Sequence, residues 1–152
     1  MDALWRIRPA IPADAERLLP IEQRCFSDPW SVAAFEETLR PPHGLGLVAE
    51  RAGLVKGYLV ARAIAGEGEI LNLAVAPDAR RRGLGDQLLG AGIAALAAAE
   101  VREIFLEVRE RNQAALQLYQ RRGFRPIGVR AGYYRNPVED AIVLRLALPV
   151  DA

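Results

Sequence analysis

Two side chains in the second half of the chain have the chemistry of a general base and a general acid. Glu107 lies in the run 103–109, whose alternating pattern predicts a strand with Glu107 on the face opposite its aliphatic neighbours. Tyr119 lies in the segment 112–122, which predicts a helix. A carboxylate can take a proton from an amine, and a phenol with a pKa of about 10 can donate one to a leaving group. The alternatives are a solvated or arginine-paired glutamate and a tyrosine packed in the core.

A glycine turn preceded by three arginines is the second chemical feature. The apolar run 71–76 ends at Pro77, the arginines follow, and the run 83–85, Gly-Leu-Gly, opens a segment that predicts a helix. Glycine lets the backbone approach a ligand closely, and the first N–H groups of a helix are unpaired at the positive end of its dipole. This order predicts a phosphate site. A glycine-rich turn that caps an ordinary helix is the alternative.

Two common phosphate loops do not fit this turn. A nucleotide-triphosphate loop places Gly-Lys-Ser or Gly-Lys-Thr at its end, whereas Asp86-Gln87 follows here and the only lysine of the chain is Lys56. A dinucleotide fold places a third glycine where this chain has Leu88. Nucleotide binding of either kind is therefore disfavoured.

Hydrophobic periodicity and turn residues predict the elements that position these side chains. The predicted strands are 5–8, 46–50, 54–63, 69–76, 103–109, 124–129 and 141–148, and the predicted helices are 12–26, 31–39, 84–99 and 112–122. Pro20 is expected to kink or split the first helix. The predicted strands are joined by hairpins early in the chain and by helical crossovers later. This order predicts an α/β fold of mixed α+β order, with one mixed sheet and helices on both faces. We expect a single domain over residues 1–152.

The composition is that of an ordinary globular domain. Hydrophobic residues make up 51% and charged residues 26% of the chain, and the net charge of +1 gives no sign of a nucleic-acid or membrane partner. Residues 1–6 lack the basic and apolar regions of a signal peptide. Cys25, the single cysteine, excludes an internal disulfide. We therefore expect a cytoplasmic protein without a metal, in which Cys25 packs in the core and His43 lies in a loop.

Several motifs together resemble the Gcn5-related N-acetyltransferase (GNAT) family. The run 80–85, Arg-Arg-Arg-Gly-Leu-Gly, matches the acyl-CoA loop Arg/Gln-x-x-Gly-x-Gly/Ala, and residues 118–124 match the closing signature Leu-Tyr-x-x-x-Gly-Phe. The segments 21–30 and 139–144 also fit. The resemblance covers residues 5–148 and is strongest to the RimI-type bacterial ribosomal-protein-alanine N-acetyltransferases.

The resemblance implies a fold, a cosubstrate and a set of site residues. The fold would be a central, mixed but mostly antiparallel seven-stranded sheet with four helices on both faces, and the cosubstrate would be acetyl-CoA without a metal. Glu107 would be the general base and Tyr119 the general acid. The residues implied to bind acetyl-CoA are Leu73, Ala74 and Val75 through their backbones, Arg81, Arg82, Gly83, Leu84, Gly85 and Asp86 around the pyrophosphate, and Asn112 along the CoA arm. The Asp86 side chain is expected to point away from the phosphates.

The implied reaction is direct acetyl transfer to the α-amine of an N-terminal alanine, on a small-subunit ribosomal protein. Two aromatic loops, with Trp30 in one and Tyr133 and Tyr134 in the other, are candidates for the acceptor groove, and strand alternation lets Asn72 face it too. Gly132 stands where the family usually has asparagine. The residues leave open a lysine side chain or a small amine as acceptor, and a non-catalytic CoA-binding module.

Overall fold

Seven strands form one sheet in the order β1-β2-β3-β4-β5-β7-β6, in a computed structural model that describes residues 5–149. The strands are β1 (Arg6–Pro9), β2 (Gly44–Arg51), β3 (Leu54–Ile64), β4 (Glu67–Val75), β5 (Glu103–Arg109), β6 (Arg125–Tyr134) and β7 (Glu139–Ala147). Neighbouring strands are antiparallel except β4 and β5, which are parallel. The predicted mixed, mostly antiparallel seven-stranded sheet is confirmed. The domain prediction also included residues 1–4 and 150–152, which lie outside the described residues, as does most of the segment judged for a signal peptide.

Four helices cover the two faces of this sheet, as predicted. They are α1 (Ala15–Cys25), α2 (Val32–Thr38), α3 (Leu84–Ala98) and α4 (Gln113–Arg121). Tyr58 and Val60 of β3 pack with α1 and α2, whereas Leu59, between them, packs with α3 and α4. Since alternate residues of a strand point to opposite faces, α1 and α2 lie on one face and α3 and α4 on the other.

The parallel strands β4 and β5 separate part-way along their length. Their pairing ends at Glu69 and Phe105, although β4 continues to Val75. Ile70 and Asn72 of β4 pair with the adjacent residues Ala61 and Val60 of β3, so Leu71 is the extra residue of a β-bulge and the strand bends there. The edge of β4 that faces β5 therefore has backbone groups outside the sheet ladder beyond residue 69, and a gap opens between the two strands.

The first predicted helix differs from the structure in two respects. Pro12–Asp14 forms a single 3-10 turn before α1 begins, and α1 then runs unbroken through Pro20 to Cys25. Of the two outcomes expected at Pro20, a kink or a split, the split was wrong, and the kink stays a prediction. Proline removes the bond to the carbonyl four residues earlier, and that carbonyl belongs to Glu16, on the exposed side of the helix, where water can replace the lost bond.

Tyr133 and Tyr134 belong to a strand and not to a loop. The sixth strand was predicted to end at residue 129, but β6 continues to Tyr134, which pairs with Glu139 across a short turn. The expectation of an aromatic loop here was wrong, because pairing with β7 resumes after an irregularity between residues 130 and 134.

Candidate active site

Three elements meet beside the gap between β4 and β5. A Cβ placed on Gly85, at the start of α3, would lie 3.7 Å from Leu118 of α4 and 3.8 Å from Val75 at the end of β4. The glycine turn, the end of β4 and α4 therefore lie next to one another.

The turn before α3 has the geometry of an anion site. Arg81 and Gly83 both adopt left-handed backbone conformations, with φ of 67° and 76°. The first bond that closes the helix runs from the N–H of Gln87 to the carbonyl of Gly83, so the N–H groups of residues 84–86 precede it and can bind a ligand. Arg81 and Arg82 are exposed beside them. Such an arrangement can hold phosphate oxygens.

The first arginine of the turn has another role. Arg80 donates from Nε to the carbonyl of Val75 at 3.1 Å, and its Nη2 lies 3.1 Å from the Sγ of Cys25. Arg80 therefore fixes the turn to the end of β4 and occupies the Val75 carbonyl. Cys25 ends α1 and packs against the core on the α1–α2 face, as expected, and its Sγ also contacts this turn.

Asp86 is held by α4. Its carboxylate accepts hydrogen bonds from Nε and Nη2 of Arg122 at 2.8 and 2.9 Å, and this pairing lowers the pKa of Asp86. The Asp86 side chain therefore pairs with Arg122 at the end of α4, and Asp86 can contact a ligand through its backbone N–H.

Glu107 lies on the α1–α2 face of the sheet, two residues beyond the last pair between β4 and β5. Its Oε1 is 3.0 Å from Nε of Arg130, and its side chain is 18% exposed. It also faces the hydroxyl of Tyr133 and raises the pKa of that phenol. The arginine-paired glutamate that the sequence left open is what the structure shows, at a position from which a carboxylate can reach the gap.

Tyr119 lies on the α3–α4 face, with its ring packed edge-on against Phe124 at 5.6 Å. Its hydroxyl bonds to none of residues 5–149, and since no buried side-chain oxygen in that range is unpaired, solvent reaches the hydroxyl oxygen. Burial raises the pKa of Tyr119, and the nearby Tyr134 raises it further, so the phenol stays protonated at neutral pH. Glu107 and Tyr119 therefore lie on opposite faces of the sheet, with the gap between them.

Asn112 caps α4. Its Oδ1 accepts a hydrogen bond from the backbone N–H of Ala115 at 3.2 Å, which is the capping role that its position predicts. The amide nitrogen of the exposed side chain remains available to donate.

The four candidate acceptor residues form two pairs on the α1–α2 face. The backbone N–H of Trp30 and the side-chain amide of Asn72 both donate to Glu22, at 2.9 and 2.6 Å. Tyr133 contacts Glu107, and the ring of Tyr134 lies 4.5 Å from the guanidinium of Arg109. One pair thus lies on each side of the gap.

The role of Arg109 was not predicted from the sequence. Its guanidinium donates to the hydroxyl of Ser27, at 3.3 Å, and to the carbonyls of Arg135 and Pro137, at 2.8 and 3.1 Å. It also pairs with Glu139 at 3.2 Å. Arg109 therefore connects the loop between α1 and α2 to the turn between β6 and β7. No local pattern signals this role, since the partners lie far apart in sequence.

Glu22 was missed as well, although the sequence contained a signal for it. It lies four residues after Leu18 and next to Ile21, on the buried stripe of α1, and is 1% exposed. A carboxylate on such a stripe must find hydrogen-bond donors inside the protein.

Residues 15–124 match the sequence profile of the Acetyltransferase (GNAT) family. The chain belongs to this family. The resemblance, the fold and the acetyltransferase activity that it implied are confirmed, and acetyl-CoA is the cosubstrate. The roles of individual site residues stay predictions.

Two relatives and one solved structure that are similar to this chain are also named as N-acetyltransferases. N-alpha-acetyltransferase RimI of Mycobacterium tuberculosis is 37% identical over 139 residues, 88% of this chain and 86% of the relative. The [ribosomal protein bS18]-alanine N-acetyltransferase of Escherichia coli K12 is 35% identical over 132 residues, 86% of this chain and 87% of the relative. The crystal structure of the ribosomal-protein-S18-alanine N-acetyltransferase from Escherichia coli superposes with a TM-score of 0.91 at 30% identity, covering 98% of this chain and 97% of that one.

Residues 5–149 lack two further features. No three His, Cys, Asp or Glu side chains in that range are grouped to hold a metal ion. None of the helices there is both long enough and apolar enough to cross a membrane.

Proposed function

We propose that this chain transfers the acetyl group of acetyl-CoA to the α-amine of an N-terminal alanine, on a small-subunit ribosomal protein in the cytoplasm. The observation that carries the proposal is the gap between β4 and β5, which has an anion-binding turn beside it and a carboxylate and a protonated phenol on its two sides. The relatives named as bS18-alanine N-acetyltransferases support this acceptor. Neither a nucleic acid nor a membrane takes part in the reaction.

In this proposal acetyl-CoA occupies the gap from the α3–α4 face. The N–H groups of residues 84–86, together with Arg81 and Arg82, bind the pyrophosphate, and the amide of Asn112 donates to the CoA arm. The pantetheine amides pair with free backbone groups of residues 73–75 on the edge of β4, apart from the Val75 carbonyl that Arg80 occupies, as a strand added to a sheet edge would. Backbone N–H groups on that edge also stabilise the oxyanion that forms when the thioester carbonyl is attacked.

The acceptor enters from the α1–α2 face and must lose a proton before it attacks. An α-amine has a pKa of about 7.7–8.0, so much of it is protonated at neutral pH. Glu107 takes this proton directly or through a water molecule, while Arg130 holds its carboxylate in place. The free amine then forms the C–N bond to the acetyl carbon.

Tyr119 completes the reaction on the opposite face. When the tetrahedral intermediate collapses, the C–S bond breaks and the electron pair stays on the sulfur of CoA. Burial raises the pKa of Tyr119, so its proton is available at every pH at which the amine reacts. The hydroxyl donates this proton to the thiolate in a hydrogen bond, the amide nitrogen gives its second proton through water to the Tyr119 phenolate, and Glu107 releases the first proton to solvent. No covalent enzyme intermediate is needed.

Acetyl-CoA turnover with three acceptors tests the proposal. The first is a short peptide that begins with alanine, the second is the same peptide with its α-amine blocked and an internal lysine left free, and the third is a polyamine. We expect turnover with the first peptide alone. Turnover with the blocked peptide would make the chain a lysine acetyltransferase, and turnover with the polyamine alone would make it a small-amine enzyme. Binding of acetyl-CoA without turnover of any amine would make it a non-catalytic module.

A further inference from the structure

The Glu22 carboxylate is buried beneath the acceptor side of the site. Its Oε1 accepts hydrogen bonds from the Tyr58 hydroxyl at 2.5 Å and the Asn72 amide at 2.6 Å, and its Oε2 accepts one from the backbone N–H of Trp30 at 2.9 Å. None of these three donors carries a formal charge. A buried carboxylate is costly unless it is hydrogen-bonded, so Glu22 and its three donors depend on one another.

The donors come from three segments that border the acceptor side. Tyr58 lies in β3, Asn72 follows the bulge at which β4 leaves β5, and Trp30 lies in the α1–α2 loop (residues 26–31). The Trp30 ring packs on Phe35 of α2, with 5.1 Å between centroids. Glu22 thus fixes the loop to the strand whose free edge is proposed to bind acetyl-CoA.

Two observations separate Glu22 from the reacting groups. The residue is 1% exposed, and both of its carboxylate oxygens already accept hydrogen bonds. It therefore lacks the access to an amine that a general base needs. Its effect on the reaction has to pass through Trp30 and Asn72.

We infer that Glu22 is a positioning residue that sets the affinity for the acceptor by holding Trp30 and Asn72 on one side of the groove. The inference rests on the proposed function, which places the acceptor on the α1–α2 face. Acetyl-CoA, bound from the opposite face, depends on the α3 turn and the β4 edge. Pairing with β3 holds residues 73–75 of that edge in place without Glu22, so we expect acetyl-CoA binding to be independent of Glu22.

The replacement Glu22→Gln tests this inference because it removes one acceptor oxygen at nearly constant volume. With the remaining oxygen directed at Tyr58 and Asn72, the new amide group faces the N–H of Trp30, and the loop is released. We expect the acceptor KM to rise about tenfold, the effect of one lost charge-assisted hydrogen bond. We expect the Kd of acetyl-CoA, measured by calorimetry, to change by less than about twofold.

Two controls separate positioning from general destabilisation. Glu16→Gln makes the same chemical change on the exposed side of α1 and should leave both constants unchanged. Tyr58→Phe removes one donor but keeps the bonds to Trp30 and Asn72, so it should lower thermal stability and leave the acceptor KM within about threefold of the wild type. If Glu22→Gln does not fold, Glu22→Asp keeps the charge and withdraws the oxygens by one methylene, and it should change KM in the same direction.

The outcomes are distinct. An unchanged acceptor KM in a folded Glu22 variant, or an equal weakening of acetyl-CoA binding, overturns the inference, as does an equal rise of KM in Tyr58→Phe. A wild type that acetylates a lysine or a small amine refutes the proposed function. The Glu22 variants are then compared with the wild type on that acceptor, where a raised KM supports the inference and an unchanged KM overturns it. A wild type that turns over no amine overturns both.

Discussion

Replacement of Tyr119 by phenylalanine should abolish most of the turnover without destabilising the protein. The ring packs against Phe124, and phenylalanine retains that contact. The hydroxyl makes no hydrogen bond to another of residues 5–149, and no buried side-chain oxygen in that range is unpaired, so the hydroxyl oxygen is accessible to solvent and its removal leaves no group unsatisfied. Because water can bond to this hydroxyl in the wild type, the free energy of unfolding of the variant should stay within about 1 kcal/mol of the wild-type value.

The expected loss of kcat follows from the role of a general acid. Such catalysis contributes typically 10²–10⁴-fold, so kcat should fall roughly 10²-fold, which corresponds to about 2.7 kcal/mol of transition-state stabilisation. The Kd of acetyl-CoA should stay constant, because the hydroxyl is proposed to meet the sulfur only as the thiolate forms. Since burial raises the pKa of Tyr119, the wild-type kcat should show no alkaline limb from this group below about pH 10.

The assay is steady-state kinetics with a thiol reagent for released CoA, together with urea unfolding of both proteins. Tyr58→Phe is the matched control, because it removes a buried hydroxyl that does form a hydrogen bond. It should lose stability and keep kcat, which is the reverse of the pattern expected for Tyr119→Phe. A folded Tyr119→Phe enzyme with wild-type kcat would refute the acid role.

Three further predictions concern the base, the anion site and a buried ion pair. Glu107→Gln should lower kcat/KM roughly 10²-fold; an unchanged kcat/KM with a free α-amine would refute its role. Gly83→Ala should weaken acetyl-CoA binding because alanine at φ 76° is strained by about 1 kcal/mol, whereas Gly53→Ala, strained alike at φ 78° in a hairpin turn, should leave the Kd measured by calorimetry unchanged. Asp14→Asn should lower the free energy of unfolding by about 2 kcal/mol at pH 7. Hydrogen bonds from Arg8 lower the pKa of Asp14, so the stability that the ionised carboxylate contributes is lost as the pH falls below about 4. Urea unfolding should therefore show a smaller difference in free energy of unfolding between the wild type and Asp14→Asn at pH 3 than at pH 7. The same difference at both pH values would contradict this prediction.

The parts of the fold that depend on local sequence could be predicted. Alternation placed Glu107 opposite Leu106 and Val108, and the structure buries those two residues while Glu107 remains accessible. The two glycines and the arginines placed a turn at the start of α3, and the structure gives Gly83 the left-handed conformation that glycine allows. These features follow from residue type and periodicity within one segment.

The parts that depend on contacts between distant segments could not be predicted. Strand periodicity does not show that β4 acquires a bulge at Leu71 or that its pairing with β5 stops at Glu69. It also does not show that pairing with β7 resumes at Tyr134. The gap, which is the centre of the site, results from these long-range pairings, and so do the bonds of Arg109 to two loops.

The position of the acetyl group on a natural acceptor tests the central claim most directly. Small-subunit ribosomal proteins lacking N-terminal acetylation are incubated with acetyl-CoA and either the wild type or Glu107→Gln, and the acetylated residue is located by tandem mass spectrometry. We predict one acetyl group on the α-amine of an N-terminal alanine, formed by the wild type and strongly reduced with Glu107→Gln. Acetyl groups confined to lysine side chains, or equal labelling by the two enzymes, would contradict it.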